Sequence, residues 1–572
     1  MIDEFEIKSY HIFPPINIAR VGNSETSYII GPERPGCGPV QFEDDRERKD
    51  ETFAVSFKDE HGLVKRQAAR FRVFELTQTY RETGTHNKVI SVGERWQEIT
   101  AREGKDEPKI EWTVTLANRK GVGWVHGDVF RPDWYTQRNQ RGDYAENGHG
   151  PITDEDLIIS PPSMTIEGTK KNVRPNQKDW GTFKGQRVFL GELKTDARGH
   201  LLVLGGNGVS GFVDNEAGTL TRWRDDCHYN NEAWYDDTSD GIVTALVTID
   251  GATHRTKGEA RVIVGPPDYA PGPGCPGIIT QYDQLLQIAK DGFDEERWGW
   301  REHDEVAASL KKPSFTEHLY PIIRGAKNLY WTIHTIHKGL CESISTDWPT
   351  LSDDTIRSAG ARATVVAQIF ALEKHLNYLV LTDIQRTRLK RYESGDFTND
   401  WARKAGTEHD LLLARQSAPI HPDDSRPPRG LVRAALEQAM GGGFHPGWEG
   451  GKDITNIDNF AGPFRLKGPP GHFVENMAVP WQADLWGCRT WHEEEENEPW
   501  WPSHRPDTVL VDRAEAKGQT RRFVDFAREP GGDDIIGRRQ LIEKFQVLGF
   551  VLPDFDDVWK IDGELVERER ES

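Results

Sequence analysis

The sequence predicts an α+β protein: a β-rich N-terminal half followed by a more helical, loop-rich C-terminal half. Three observations predict this. Short β-branched and aromatic runs bounded by Gly, Asp and Asn crowd the chain as far as Ile249. The segment Gly265-Pro-Pro-Asp-Tyr-Ala-Pro-Gly-Pro-Gly274 then abolishes all periodicity. Beyond it, apolar residues recur at helical spacing. At 572 residues the chain exceeds what one hydrophobic core organises, so two domains are expected, 1–270 and 271–572.

In chain order, Phe53–Phe57, Arg70–Leu76, Ile110–Leu116 and Leu201–Leu204 read as strands. Gly241–Ile249 is a further strand, and Asp250-Gly251 behind it signals a tight turn. In the second half Gln281–Asp291 carries a helical pattern, and Thr355–Tyr392 predicts one long amphipathic helix. Pro428–Met440 and Ile535–Leu548 predict two more. Between them lie irregular stretches rich in Gly, Pro and Trp, the kind of loop that carries function or is pinned by its neighbours.

Composition narrows the function class. A formal charge of −20 repels phosphate backbones, so nucleic acid is not an expected partner. No run of about 18 apolar residues exists to span a membrane. The start, Met1-Ile-Asp-Glu-Phe-Glu6, has no apolar h-region, so cytoplasmic synthesis and maturation are expected. Five scattered cysteines, none in a CxxC pair, form neither a disulfide framework nor a zinc finger; most should be plain buried thiols. Nineteen tryptophans are the other compositional signal. They suit a Trp-rich core or, at some positions, chemistry.

The familiar nucleotide, P-loop, nucleophile-elbow and HExxH motifs are missing. His334 and His337 could share a helix face, but no third metal ligand accompanies them, so structural histidines are the better reading. A metal-dependent hydrolase built on histidines and acidic clusters is therefore the weakest candidate. Asp236-Asp-Thr-Ser-Asp240-Gly241 could offer oxygens to a cation, yet an Asx-type turn leading into the next strand accounts for it better. Glu493–Glu496 reads as a solvated loop. The most unusual segment is Pro480-Trp-Gln-Ala-Asp-Leu-Trp-Gly-Cys488, continued by Arg489-Thr-Trp-His492 and Pro499-Trp-Trp-Pro-Ser-His-Arg-Pro506. A thiolate can add to an oxidised indole, and Asp484 is placed to act as the base such a reaction needs. A tight Trp-Pro-rich core loop is the bland alternative.

At these residues the chain resembles the lysine ε-oxidase and glycine oxidase family of cysteine tryptophylquinone (CTQ) proteins. The resemblance runs through Ile12-Phe-Pro-Pro-Ile-Asn-Ile-Ala-Arg-Val-Gly-Asn-Ser24, Tyr28–Glu33, Trp234–Gly241 and Pro266–Pro271. It continues through Gly441–Glu449, Gly462–Leu466 and Met477–Asp484. Several long motifs in the same order are more specific than any one of them.

The resemblance implies an oxidase that deaminates a small primary amine or amino acid with O2. It implies a cofactor built from Cys488 and either Trp500 or Trp501, with Trp491 a distant third. Asp484, four residues before the cysteine, is implied in cofactor formation and is the first candidate for the base that takes the substrate's proton. His445 and Glu449 are further candidates, or else hold their loop. A separate flavoprotein is implied for cofactor maturation, a homo-oligomer is expected, and some relatives act outside the cell without a conventional signal. A catalytically silent scaffold or binding protein of the same family is the alternative.

Overall fold

The computed structural model describes residues 4–41, 56–83, 88–104, 107–126, 135–137, 153–213, 234–269, 280–292, 303–329, 338–375, 381–401, 406–438, 457–462, 464–477, 479–482, 508–510, 523–525, 542–553 and 565–569. The β-rich first half and more helical second half are both present. A 14-stranded sheet dominates the first half. Its main path runs Met164–Glu167, Lys109–Ala117, Ser239–Ile249, Ala260–Gly265, Ile16–Arg20, Arg66–Thr83, Leu201–Gly205, Gly191–Thr195 and Asn172–Val173. The pair Ile16–Arg20 and Ala260–Gly265 is parallel and joins residues about 245 apart in sequence.

Local chemistry explains these strands. Along Lys109–Ala117, Ile110, Trp112, Val114 and Leu116 are buried and alternate with partly exposed Glu111, Thr113 and Thr115, the period of two a half-buried strand requires. Asp250 and Gly251 sit at φ of 51° and 77°. Positive φ at both central residues matches the twist of the hairpin that joins Ser239–Ile249 to Ala252–Arg255. The predicted Arg70–Leu76 strand belongs to a longer one, Arg66–Thr83. Its early residues pair with Leu201–Gly205 and its later ones with both Glu4–Phe13 and Lys88–Ile99. Phe57 lies in a bend beside an isolated bridge from Lys58 to Val64, and residues 53–55 lie outside the described residues.

The helical half has its own core around Phe315, Ile323, Trp348, Ile369 and Tyr392. Here one expectation is corrected. Thr355–Tyr392 is not one helix: a 3-10 turn at Ile356–Ser358 precedes Ala359–His375, and a separate helix runs Asp383–Glu393. Thr382 accepts from the Gln385 N–H, and Gln385 accepts from the Thr382 N–H. That reciprocal capping box starts a new helix inside a continuous apolar pattern. The Gln281–Gly292 and Arg429–Gln438 helices match expectation. Of Ile535–Leu548, residues 542–548 are described and contain the 3-10 turn Phe545–Val547.

Segments late in the chain complete the early core. Trp481, Phe545, Leu548 and Phe550 are buried among Ile12, Val114, Val203 and Val262. A second cluster joins Phe13, Ile18 and Phe74 to Leu285, Leu431, Phe464 and Met477. No described helix is long and apolar enough to cross a membrane.

A buried ionic network lies on the long strand. Glu33 accepts from Arg70 Nε and Arg72 Nη2, both at 3.0 Å. Burial alone would raise the Glu33 carboxyl, but the two guanidinium groups outweigh it and hold it at about 2, against 4.5 normally. A depressed carboxylate contributes stability above its unfolded value and loses it as pH falls through the folded one. Acid unfolding should therefore steepen between about pH 4.5 and 2. In E33Q, melting temperature should be lower at pH 7 and flatter across that window; an unchanged acid profile would refute the assignment.

Candidate active site

The site is approached through the Trp234–Gly241 motif, whose carboxylates divide into two structural jobs. Asp236, fully buried, accepts from Lys120 Nζ at 2.7 Å, from Asn118 Nδ2 at 3.0 Å and from Thr238 Oγ1 at 2.7 Å. The Thr238 backbone N–H also donates to Asp236 Oδ1 at 3.2 Å, the Asx-type turn expected from the sequence. Asp240, also fully buried, faces the other way. It receives Arg261 Nη1 at 3.1 Å and the backbone N–H groups of Phe473 and Val474 at 2.7 and 3.1 Å. Arg261 also donates to the carbonyls of Gly468 and Pro469 at 2.7 and 3.2 Å. The strand pair Ser239–Ile249 and Ala260–Gly265 thus clamps residues 468–474, which lead into Met477 and the Trp481 segment. Among the described residues no cluster of three or more His, Cys, Asp or Glu could hold a metal ion.

A second clamp holds the segment further on. Trp481 donates its indole N–H to the Gly208 carbonyl at 3.3 Å and packs edge-on against Phe545. Ser210 donates to Gln482 Oε1 at 2.7 Å. The loop that supplies these groups is braced by Asp237, whose Oδ2 accepts from the Val209 N–H at 2.9 Å. Gly206 must be glycine here, because a Cβ would stand 2.4 Å from that oxygen.

Asp237 has no ion-pair partner among the described residues, and its Oδ1 is buried without a hydrogen bond. Burial, reinforced by the Asp236 carboxylate, pushes the carboxyl up to about 8 against the pull of backbone N–H groups. The group is therefore neutral at pH 7 when folded. Its favourable contribution is complete below the unfolded value of 3.8 and is lost as pH rises toward about 8. D237N keeps an acceptor and cannot ionise. Relative to the native chain it should gain stability steadily from pH 4 to pH 8, by at least about 1.4 kcal/mol, the equivalent of one pKa unit. A pH-independent difference in urea midpoints would dismiss this.

Asp484, Cys488, Trp491, Trp500 and Trp501 lie outside the described residues, as do His445, Glu449, His334, His337 and Glu493–Glu496. The structure therefore describes the support that ends at Gln482, two residues before Asp484. Sequence reading missed the roles of Arg261 and the Gly206–Ser210 loop. Arg261 looked like one charge in a strand, and only its burial to 1% exposure beside Asp240 marks it out. A fit to the implied cofactor can be tested at Gln482. Its side chain is fully buried, Oε1 is taken by Ser210, and Nε2 has no hydrogen-bond partner among the described residues. An orphaned buried donor at this place suits a group carrying carbonyl oxygens, as a quinone does. Of the cysteines, Cys37 and Cys341 are buried free thiols pushed up to about 12 by burial, which matches the expectation of inert thiols.

Comparison with known proteins bears on the family and the fold. Residues 13–264 match the family model "L-Lysine epsilon oxidase N-terminal", and residues 366–503 match "L-lysine epsilon oxidase C-terminal domain". The chain is 28% identical over 346 residues to the L-lysine 6-oxidase of Marinomonas mediterranea, an alignment covering 56% of this chain and 42% of that relative. The crystal structure of the L-Lys epsilon-oxidase from the same organism superposes with a TM-score of 0.66 at 19% identity, covering 98% of this chain and 95% of the other. A structure titled as the Schiff base intermediate of that oxidase with L-Lys superposes equally well, with the same TM-score, identity and coverage. Those superpositions speak to the fold, and the two family models speak to descent. The chain belongs to the L-lysine epsilon oxidase family.

Proposed function

We propose that this protein oxidises a small primary amine or amino acid with O2 and water, releasing an aldehyde or oxo acid, ammonia and hydrogen peroxide. The cofactor we propose is CTQ formed from Cys488 and Trp500 or Trp501. The observation that carries the proposal is that the C-terminal family match runs through residue 503 and so takes in Asp484, Cys488 and both tryptophans. When formed, the quinone supplies an electrophilic carbonyl and an acceptor for two electrons.

The chain's own residues have narrower jobs. The Asp240–Arg261 and Ser210–Gln482 clamps fix the backbone that leads toward the proposed site as far as Gln482. Asp484 is proposed to take protons during cofactor formation and then from the substrate carbon, with His445 and Glu449 as further proton acceptors. Maturation depends on a flavoprotein that installs oxygen on the indole, and the mature protein is proposed to be a homo-oligomer. We propose the cytoplasm as the place of synthesis and maturation.

The test is expression with and without the maturing flavoprotein. Matured protein should stain for redox-active quinone after denaturation and release peroxide with an amine. L-lysine is the first substrate to try, since the curated relative is an L-lysine 6-oxidase. A native-host preparation with neither stain nor peroxide release across amines and amino acids would favour the silent scaffold instead.

A further inference from the structure

A cavity of about 540 Å³ lies between the Arg429–Gln438 helix, the Pro32–Cys37 loop and the helices around Tyr320 and Arg388. The volume is that of a small-molecule site. Its charge is the reverse of the chain's. The whole sequence has 92 acidic and 72 basic residues, yet among the described residues this wall carries seven arginines, no lysine and six carboxylates.

Several of those carboxylates are neutralised from outside the cavity. Glu33 is engaged by Arg70 and Arg72, and Asp268 by Arg20 at 3.3 Å. Asp283 accepts from the Thr280 N–H and hydroxyl at 3.0 and 2.9 Å, and burial raises its carboxyl above its ordinary value. Glu437 is held by Arg433 Nε at 2.6 Å, and Arg433 also donates to the Glu317 carbonyl at 3.2 Å, whereas the Glu317 carboxylate stands 3.8 Å from Arg415, too far for a hydrogen bond.

Arg415 is the most telling of these groups. Its side chain is only 11% exposed, it donates to the Thr316 carbonyl at 2.7 Å, and its Nε is buried with no hydrogen-bond partner among the described residues. A guanidinium has five N–H donors in a planar fork, which suits planar two-oxygen anions. His318 adds a neutral donor, because its Nδ1 accepts the Ser314 N–H at 3.0 Å and the proton must then sit on Nε2. The rings of Tyr282 and Tyr320 supply apolar wall. The Cys37 thiol, which burial keeps protonated, makes no nucleophile here.

We propose that this cavity binds the carboxylate of a small organic acid, with Arg415 as the recognising group. Its described lining residues all precede the Cys488 segment, and the proposal is tested separately from the oxidase reading. A free organic acid and an amino acid share this chemistry, so the test separates them. Full-length protein, with no cofactor required, is titrated calorimetrically with succinate, L-lysine, cadaverine and inorganic phosphate at constant ionic strength.

Saturable binding of succinate without binding of cadaverine supports the proposal and names a free acid as ligand. Binding of L-lysine alone supports it and names an amino acid. R415M, which keeps the aliphatic stem, should weaken that binding about tenfold, and its thermal melt checks that it folds. No saturable heat with succinate or L-lysine overturns the proposal, and so does equal binding of cadaverine. Preference for phosphate overturns the carboxylate assignment.

Discussion

Replacing Cys488 with alanine should abolish amine-dependent peroxide release, lowering it by at least about a thousandfold. The size follows from what is removed. Without the thiol no thioether can form, and the side chains that remain include none that can accept two electrons from an amine carbon. A thermal melt separates lost chemistry from unfolding: C488A should remain folded and melt cooperatively. Peptide mapping gives the second readout. Matured native protein should yield one linked, oxygenated peptide pair containing Cys488, and C488A should yield only separate peptides. W500F and W501F, examined in the same way, decide which indole is joined, because only one of them should lose the link. D484A should also stop maturation, leaving Cys488 as a free thiol. Peroxide release that survives C488A would end the quinone reading outright.

The second large effect lies in the clamp. D240A should destabilise the protein by about 3–5 kcal/mol, the cost of leaving a buried charge without its partner. The carboxylate is fully buried, as is Arg261, and its loss would also strand the N–H groups of Phe473 and Val474. Because those bonds tie residues 468–474 to the N-terminal sheet, limited proteolysis should open the 468–482 segment before the sheet unfolds. D240N, which keeps the acceptor but loses the charge, should fall between native and D240A. A D240A protein with native urea midpoint and native proteolysis would show that the clamp holds nothing.

Much of the fold was legible because its causes are local. The strands around Trp112 and Val243 announce themselves by alternation, that around Val203 by a short apolar run, and Asp250-Gly251 by the positive φ it must adopt. The Thr355–Tyr392 pattern misled because apolar spacing is continuous across it, while the break is set by the Thr382 and Gln385 caps. The acidic run at Asp236 was read correctly as a turn, since its Thr238 partner sits only two residues away. Its other half was out of reach. Nothing near Asp240 in sequence hints at Arg261, still less at Phe473 and Val474, more than 230 residues later.

What the sequence by itself determined is the chemical endowment: a β-rich half, a helical half, and a Cys488–Asp484–Trp segment whose motif order marks its family. What only the tertiary structure decided is how that segment is carried. Asp240 and Arg261 hold its approach, Ser210 grips Gln482, and Asp237 is buried as a neutral acid behind the Gly206–Ser210 loop. The arginine-lined cavity is likewise gathered from segments spread between residues 32 and 438. The physical reason is common to all of them. Burial and charge pairing depend on which distant segments meet, and sequence patterns report only neighbours within a turn or a hairpin.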